Sequence, residues 1–193
     1  SSEAVRKFIH IGVSNWWFIL IAAIDRAEIA MIGPLLFLAV NSIAVATGYA
    51  NLLGIKDKVR NLGLIYFPLS LVVLVAAGYF GAVPLWACGM GCLTMGYGDG
   101  LAALLGKRYG KRRIVGGKTL LGTAVMFMAT LLVVACFSIG YRIDSLWSAS
   151  WWIGLVVIAA AASLMEAYTP FGLDNLTVPL GTAFLAFLLL GGA

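Results

Sequence analysis

TLLGTAVMFMATLLVVACFSIG, Thr119 to Gly140, runs for 22 residues without a charged side chain. A helix needs about 20 mostly apolar residues to cross the hydrocarbon of a bilayer, so this stretch is long enough to span one. Outward from it, six more apolar stretches separated by short polar joints read as spans. They are Ile9 to Ile24, Ile29 to Leu53, Leu62 to Val83, Pro84 to Leu105, Trp151 to Tyr168 and Leu176 to Leu190, the first and last being short. None alternates apolar and polar residues as the strands of a membrane barrel do, and continuous apolar runs belong to helices. The expected fold is an all-α integral membrane protein, one bundle of about seven transmembrane helices.

Composition agrees. Of 193 residues, 62% are hydrophobic and 11% charged, whereas a soluble domain carries roughly 25% charged residues. Mean hydropathy is +1.01. The first span follows Arg6 and Lys7 as a secretory signal would, but no small-residue cleavage pattern with a soluble remainder follows, so it is read as retained. Cys88, Cys92 and Cys136 fall in spans, and an odd count of three argues against a disulfide framework. His10 is the only histidine, which excludes a histidine-based metal cluster within one chain.

The basic residues set an orientation. With the N-terminus inside, the inner segments hold Arg6 and Lys7, then Lys56, Lys58 and Arg60, then Lys107, Arg108, Lys111, Arg112, Arg113 and Lys118. Only Arg26 and Arg142 remain outside. The positive-inside rule therefore predicts a cytoplasmic N-terminus, which puts the Arg6 to His10 stretch, the basic loop and the Glu166 to Asn175 joint on the cytoplasmic face. The Lys56 to Arg60 joint needs no role beyond orientation.

One acid is out of place in this frame. Asp99 lies inside the apolar, glycine-rich run TMGYGDGLAALLG, and small residues recur from it at Ala102, Ala103, Gly106 and Gly110, close to the spacing of one helical face. On a helix Asp99 would lie about 12 Å from Lys107, below the charged rim. An intramembrane acid costs a few kcal/mol unless it meets a partner or a wet cavity. Close helix packing accounts for Gly89, Gly91 and Gly96, and a lysine such as Lys118 would serve as partner, but packing needs no carboxylate. The functional reading is a hard cation: Mg²⁺ takes oxygen ligands, keeps waters, and is held by one or two carboxylates together with substrate phosphates. Gly116, Gly117, Lys118 and Thr119 then open the fifth span, where glycines, free amide donors and a point charge suit a phosphate. The GxxxxGK[ST] spacing of a Walker loop is missing.

EAYTPFGLDNLTVPL, Glu166 to Leu180, holds further acids at the same face. Pro170 and Gly172 break the chain, so Asp174 either caps the last helix with Asn175 or turns back, with Glu166, toward Asp99. Two carboxylates and a basic loop around a metal-bound triphosphate suffice for phosphoryl transfer, where positioning and charge neutralisation dominate and a carboxylate serves as base. At the N-terminus Arg6 and His10 share a face beside Lys7; interfacial snorkelling alone would also explain that pattern. Asn15 and Asn41 read as interhelical hydrogen-bonding groups, and the six tryptophans as an interfacial belt.

Together these three stretches resemble the polyprenol kinase family, which includes phytol kinases, dolichol kinases and CTP-dependent diacylglycerol kinases, and which is related more distantly to phosphatidate cytidylyltransferases. RKFIH at Arg6 to His10 is similar to the family's RKxxH element, GDGLAALLGKRYG at Gly98 to Gly110 to its DxxAxxxG nucleotide motif, and DNLTVPL at Asp174 to Leu180 to its terminal signature. Leu121 stands where dolichol kinases carry the glutamate of KTxEG, so an ionic role there is absent; phytol kinases match better at that position. The resemblance implies transfer of the γ-phosphoryl group of CTP, with Mg²⁺ required, to the hydroxyl of a membrane-embedded alcohol such as phytol, geranylgeraniol or a polyprenol. It implies that Asp99, Ala102, Gly106, Lys118 and Gly122 belong to the nucleotide site, Asp174 and Asn175 to the terminal signature, and Arg6, Lys7 and His10 to the rim.

The expected catalytic groups are accordingly Asp99, Asp174 and Lys118, and the expected metal ligands Asp99, Asp174 and Glu166. Lys107, Arg108, Gly117 and Thr119 of the basic loop complete the nucleotide site. Cytidylyl transfer to phosphatidate and phosphorylation of diacylglycerol are the nearest alternatives. An ion-coupled transporter is the alternative of another class, although no repeat relates the two halves and the acids gather at one face. A nucleic-acid partner is not expected, and a homo-oligomer is left open.

Overall fold

A computed structural model describes residues 2–49, 58–143 and 145–191. Nine α-helices lie among them: α1 Ser2–Ser14, α2 Trp16–Ala23, α3 Ala27–Ala46, α4 Lys58–Tyr79, α5 Leu85–Leu93, α6 Gly100–Tyr109, α7 Leu120–Gly140, α8 Ala149–Tyr168 and α9 Asp174–Leu190. A π-helical segment, Thr94–Asp99, joins α5 to α6 without a break. No strand occurs among the described residues, and four helices are long and apolar enough to cross a membrane: Ala27–Ala46, Leu62–Tyr79, Leu120–Gly140 and Ala149–Tyr168, with Asp174–Leu190 a shorter apolar one. The chain is an integral membrane helical bundle. Of the Lys56 to Arg60 joint, Lys56 lies outside the described residues, and Lys58 and Arg60 fall in the first turn of α4.

Seven rods thus follow the seven apolar stretches, with two of them interrupted. The first breaks at Asn15, where side chains compete with the helical ladder: Ser14 Oγ donates to the His10 carbonyl at 2.6 Å and Asn15 Nδ2 to that of Ile11 at 2.9 Å. The second is the α5–π–α6 rod, widened over Thr94–Asp99 by the wider turns of a π-helix.

That rod runs through the middle of the bundle, with glycines where neighbouring helices approach it most closely. Between helices in lipid there is little hydrophobic drive, so small residues that let backbones approach supply the contact. Gly91 faces the Pro179 carbonyl and Ala183 of α9, Gly89 faces Trp17 and Phe137, Gly96 faces Ser14 and the His10 carbonyl of α1, and Gly100 faces Ile11. Around the rod, α9 packs on α4, α5 and α8; α7 on α6 and α8; α1 on the π segment and α6; and α3 on α4. The packing role expected for Gly89, Gly91 and Gly96 is what these contacts show.

Other expectations need correcting. Trp17 and Trp151 are fully buried in the core beside Phe67, Met90 and Met126, while Trp147 and Trp152 remain exposed; the indoles form no continuous belt. Asn41 bonds back to the Phe37 carbonyl of its own helix, whereas Asn15 does reach across, accepting from Tyr97 Oη at 2.8 Å. Cys88 and Cys92 are buried and Cys136 is exposed on α7.

Candidate active site

Three acids from distant parts of the chain line one cavity of about 690 Å³: Asp99 at the end of the π segment, Glu166 in the last turn of α8 and Asp174 at the start of α9. The small face beginning at Asp99 forms one wall, since Ala102, Ala103, Gly106 and Gly110 all line the cavity. Its volume falls in the range of ligand pockets, roughly 300–1,000 Å³.

The opposite wall is a small hairpin between α6 and α7. Arg113 and Thr119 pair across it; Ile114 N–H donates to the Lys118 carbonyl at 2.8 Å and Leu120 N–H to that of Arg112 at 3.0 Å. At the tip Gly116 (φ 67°) and Gly117 (φ 78°) adopt left-handed backbone with open space around them, so conformation and not crowding asks for glycine. Thr119 caps α7, its Oγ1 accepting from Gly122 N–H at 3.1 Å. Gly106 and Gly122 sit where α6 crosses α7: a β-carbon on Gly106 would lie 3.2 Å from Gly122 Cα, and one on Gly122 would lie 3.0 Å from the Ala102 carbonyl. Both line the cavity, and both are first of all contact points between helices.

The third side is the joint between α8 and α9. Phe171 (φ 62°) and Gly172 (φ 76°) take left-handed backbone in succession, turning the chain back so that Asp174 enters the first turn of α9. Such a conformation is uncommon for a phenylalanine. Asp174 Oδ1 accepts from Asn175 N–H at 3.0 Å, while its Oδ2 is left to a cation.

Two ion-pair centres result. Lys7 Nζ lies against Asp99 Oδ2, both side chains buried. Lys118 Nζ contacts Glu166 Oε1 at 2.7 Å, Asp174 Oδ2 at 2.9 Å and the Glu166 carbonyl. Burial works against the Lys118 ammonium, but Asp174, Glu166 and Asp99 outweigh it and hold its pKa above the ordinary lysine value, so it stays charged. Arg6, Lys107 and Arg113 also line the cavity, which gives five cationic and three anionic lining residues, a balance suited to a polyanion.

The expected site residues divide accordingly. Arg6, Lys7, Asp99, Ala102, Gly106, Lys107, Gly117, Lys118, Thr119, Gly122, Glu166, Asp174 and Asn175 line the cavity. Arg108 is not among the lining residues; it is exposed, with its guanidinium over the Tyr109 ring at 5.2 Å. His10 is likewise not among them: it is buried, its ring turned onto Phe67 of α4 with the centroids 4.3 Å apart. Sequence reading did not single out Arg113 within the basic loop; Arg113 lines the cavity and Arg112 does not.

The oxygen donors fit a hard divalent ion. Glu166 Oε2 and Asn175 Oδ1 are buried without a hydrogen-bond partner, beside carboxylates of Asp99 and Asp174 that line the same space. No group of three or more His, Cys, Asp and Glu side chains set for a metal occurs among the described residues. A dedicated protein cage is therefore not what the site offers, and Mg²⁺ does not require one, since phosphates and waters commonly complete its sphere.

The chain is 33% identical to the phytol kinase of Synechocystis sp. across 96% of its length and 79% of that protein. It is 38% identical to dolichol kinase EVAN of Arabidopsis thaliana across 47% of the chain and 16% of that protein. It is 36% identical to the probable chloroplastic phytol kinase 2 of Glycine max across 49% of the chain and 35% of that protein. No family model matches the chain. No solved structure matches it.

Proposed function

The chain belongs to the polyprenol kinase family, and from that premise we infer that it phosphorylates a membrane-embedded prenyl alcohol, phytol or a close isoprenoid relative, using CTP. The observation that supports this reading is the convergence of Asp99, Glu166 and Asp174 on one cavity with five cationic residues. Kinship supplies the alcohol; the charge balance supplies a place for a triphosphate.

In this reading the nucleotide lies between the hairpin and the α8–α9 joint, and the alcohol arrives through the bilayer with its hydroxyl at the level of Asp99. That carboxylate, carried inside an apolar rod, takes the hydroxyl proton as the alcohol oxygen bonds to the γ-phosphorus. The bond from that phosphorus to the β,γ-bridging oxygen breaks, and the electron pair leaves with CDP. Holding both substrates in one cleft makes the step effectively unimolecular and excludes water as a competing acceptor. Mg²⁺ held by Asp174 and Glu166 would neutralise charge on the phosphates. The distribution of Lys and Arg supports a cleft at the cytoplasmic face, where nucleotides are available.

The test is product identification by mass, with purified protein, Mg²⁺ and CTP offered phytol, geranylgeraniol, a long polyprenol, diacylglycerol or phosphatidate. A prenyl monophosphate with CDP is expected. Release of pyrophosphate from phosphatidate would replace this reading with a cytidylyltransferase, and solute flux without nucleotide turnover would replace it with a transporter.

A further inference from the structure

The cations around the cleft are not equivalent, and hydrogen-bond capacity separates them. An ammonium has three N–H donors. Around Lys118 there are three acceptors, two of them carboxylate oxygens of Glu166 and Asp174 and the third the Glu166 carbonyl. The ammonium of Lys7 lies buried against Asp99. A phosphate approaching either lysine has to displace a carboxylate from its counter-charge, and a buried carboxylate without one is costly.

Arg6 and Arg113 differ from both. They line the cleft, and neither is in an ion pair among the described residues. They also come from separate segments. Arg6 belongs to α1, with its Nη1 3.6 Å from where a β-carbon on Gly63 of α4 would sit. Arg113 is exposed and stands on one arm of the hairpin, bridged to Thr119, two positions from the segment whose tip holds Gly116 and Gly117. A guanidinium is always charged and offers a planar fork that meets phosphate oxygens two at a time.

We propose that Arg113 and Arg6 are the side chains that hold the triphosphate, one on the hairpin and one on α1, while Lys118 is a positioning residue that ties the hairpin to Glu166 and Asp174 without touching phosphate. This assignment rests on the phosphoryl-transfer reading above. It has a consequence that separates the residues. Nucleotide affinity follows the two guanidiniums, whereas the order of the α8–α9 joint follows the ammonium.

The experiment measures Mg²⁺–CTP, CDP and CMP binding to the full chain in detergent, together with KM for CTP, KM for phytol, kcat and the thermal midpoint. Arg113→Gln and Arg6→Gln are each expected to weaken CTP and CDP binding and raise KM for CTP about 10- to 100-fold, the range of a hydrogen bond to a charged group. CMP binding, KM for phytol and the midpoint stay near wild type, and Arg113→Lys recovers part of the loss. Lys118→Met lowers the midpoint and kcat but leaves CTP affinity of the folded fraction within about 3-fold, and Lys118→Gln, whose amide still offers N–H donors to the two carboxylates, does the same at a higher midpoint. If wild type turns over CTP while both arginine variants match its affinity, or if Lys118→Met folds and loses binding, the assignment is overturned and the kinase reading stands. If wild type neither binds nor consumes any nucleoside triphosphate, the kinase reading falls and the assignment falls with it.

Discussion

The two buried ion-pair centres look alike and are built for different ends. Lys7 and Asp99 are 5% and 3% exposed and join α1 to the π segment, two elements already seated on each other through Gly96 and Gly100. Lys118 is 27% exposed and joins the hairpin, the end of α8 and the start of α9, three pieces of chain at the edge of the bundle. In the first centre packing holds the charges; in the second a charge holds the packing. The difference teaches that a buried lysine–carboxylate contact does not have one meaning, and that its neighbours decide whether it supplies chemistry or architecture.

The sharpest way to break the comparison is Asp99→Asn. If that carboxylate is the proton acceptor, turnover falls by about 10²- to 10⁴-fold, the contribution of a positioned general base. Its midpoint of thermal unfolding also falls, because Lys7 is left buried without its counter-charge, but the protein still folds because the glycine contacts remain. Phytyl phosphate formation and a melting curve on the same preparation check both halves. Next is Lys118→Met, expected to destabilise by about 3–5 kcal/mol because Glu166 and Asp174 lose their shared cation. Denaturant titration in detergent reads the loss, and limited proteolysis should cut first at the α8–α9 joint. A stable Lys118→Met protein with an uncut joint would erase the distinction between the two centres.

Gly96→Ala tests the packing side of the first centre. Its β-carbon would sit against Ser14 and 3.3 Å from the His10 carbonyl, so α1 must lift. A cost of about 1–3 kcal/mol is expected from overpacking, together with reduced turnover as Lys7 moves off Asp99. Gly116→Ala, at a left-handed position in open space, should cost about 1–2 kcal/mol without crowding anything, read as a small drop in midpoint. The smallest effect belongs to Arg108→Ala. That residue is exposed and is not among the cavity-lining residues, so KM for CTP should stay within about 2-fold of wild type, as for surface changes generally.

Local pattern made much of this legible. Continuous apolar runs located most rod ends to within a few residues, Leu120–Gly140 from Thr119 and Asp174–Leu190 from Leu176, but not the start of the first rod, which is Ser2 and not Ile9, or the end of α3, Ala46 and not Leu53. The helical spacing of Asp99, Ala102, Ala103, Gly106 and Gly110 identified a face that does line the cavity. Pairing between distant segments was not legible. Lys7 and Asp99 are 92 residues apart, and the reading that offered Lys118 as the partner of Asp99 chose a nearer lysine with a different assignment. His10 failed for a related reason: sharing a face with Arg6 says nothing about which part of that face meets Phe67. The π-helical segment has no periodicity of its own to detect, since its glycines read equally well as close packing.

That segment has a further consequence. Its wider turns act as a phase shifter along one continuous rod: α5 can turn its glycines toward α9 and Trp17, while Asp99 at the end of the segment and the small residues of α6 after it come around to the cleft. Winding the same residues as an ordinary α-helix would over-rotate everything downstream by about 100°, one residue's worth of helical turn. The acid would then point away from its cleft with every neighbouring side chain still present in the sequence.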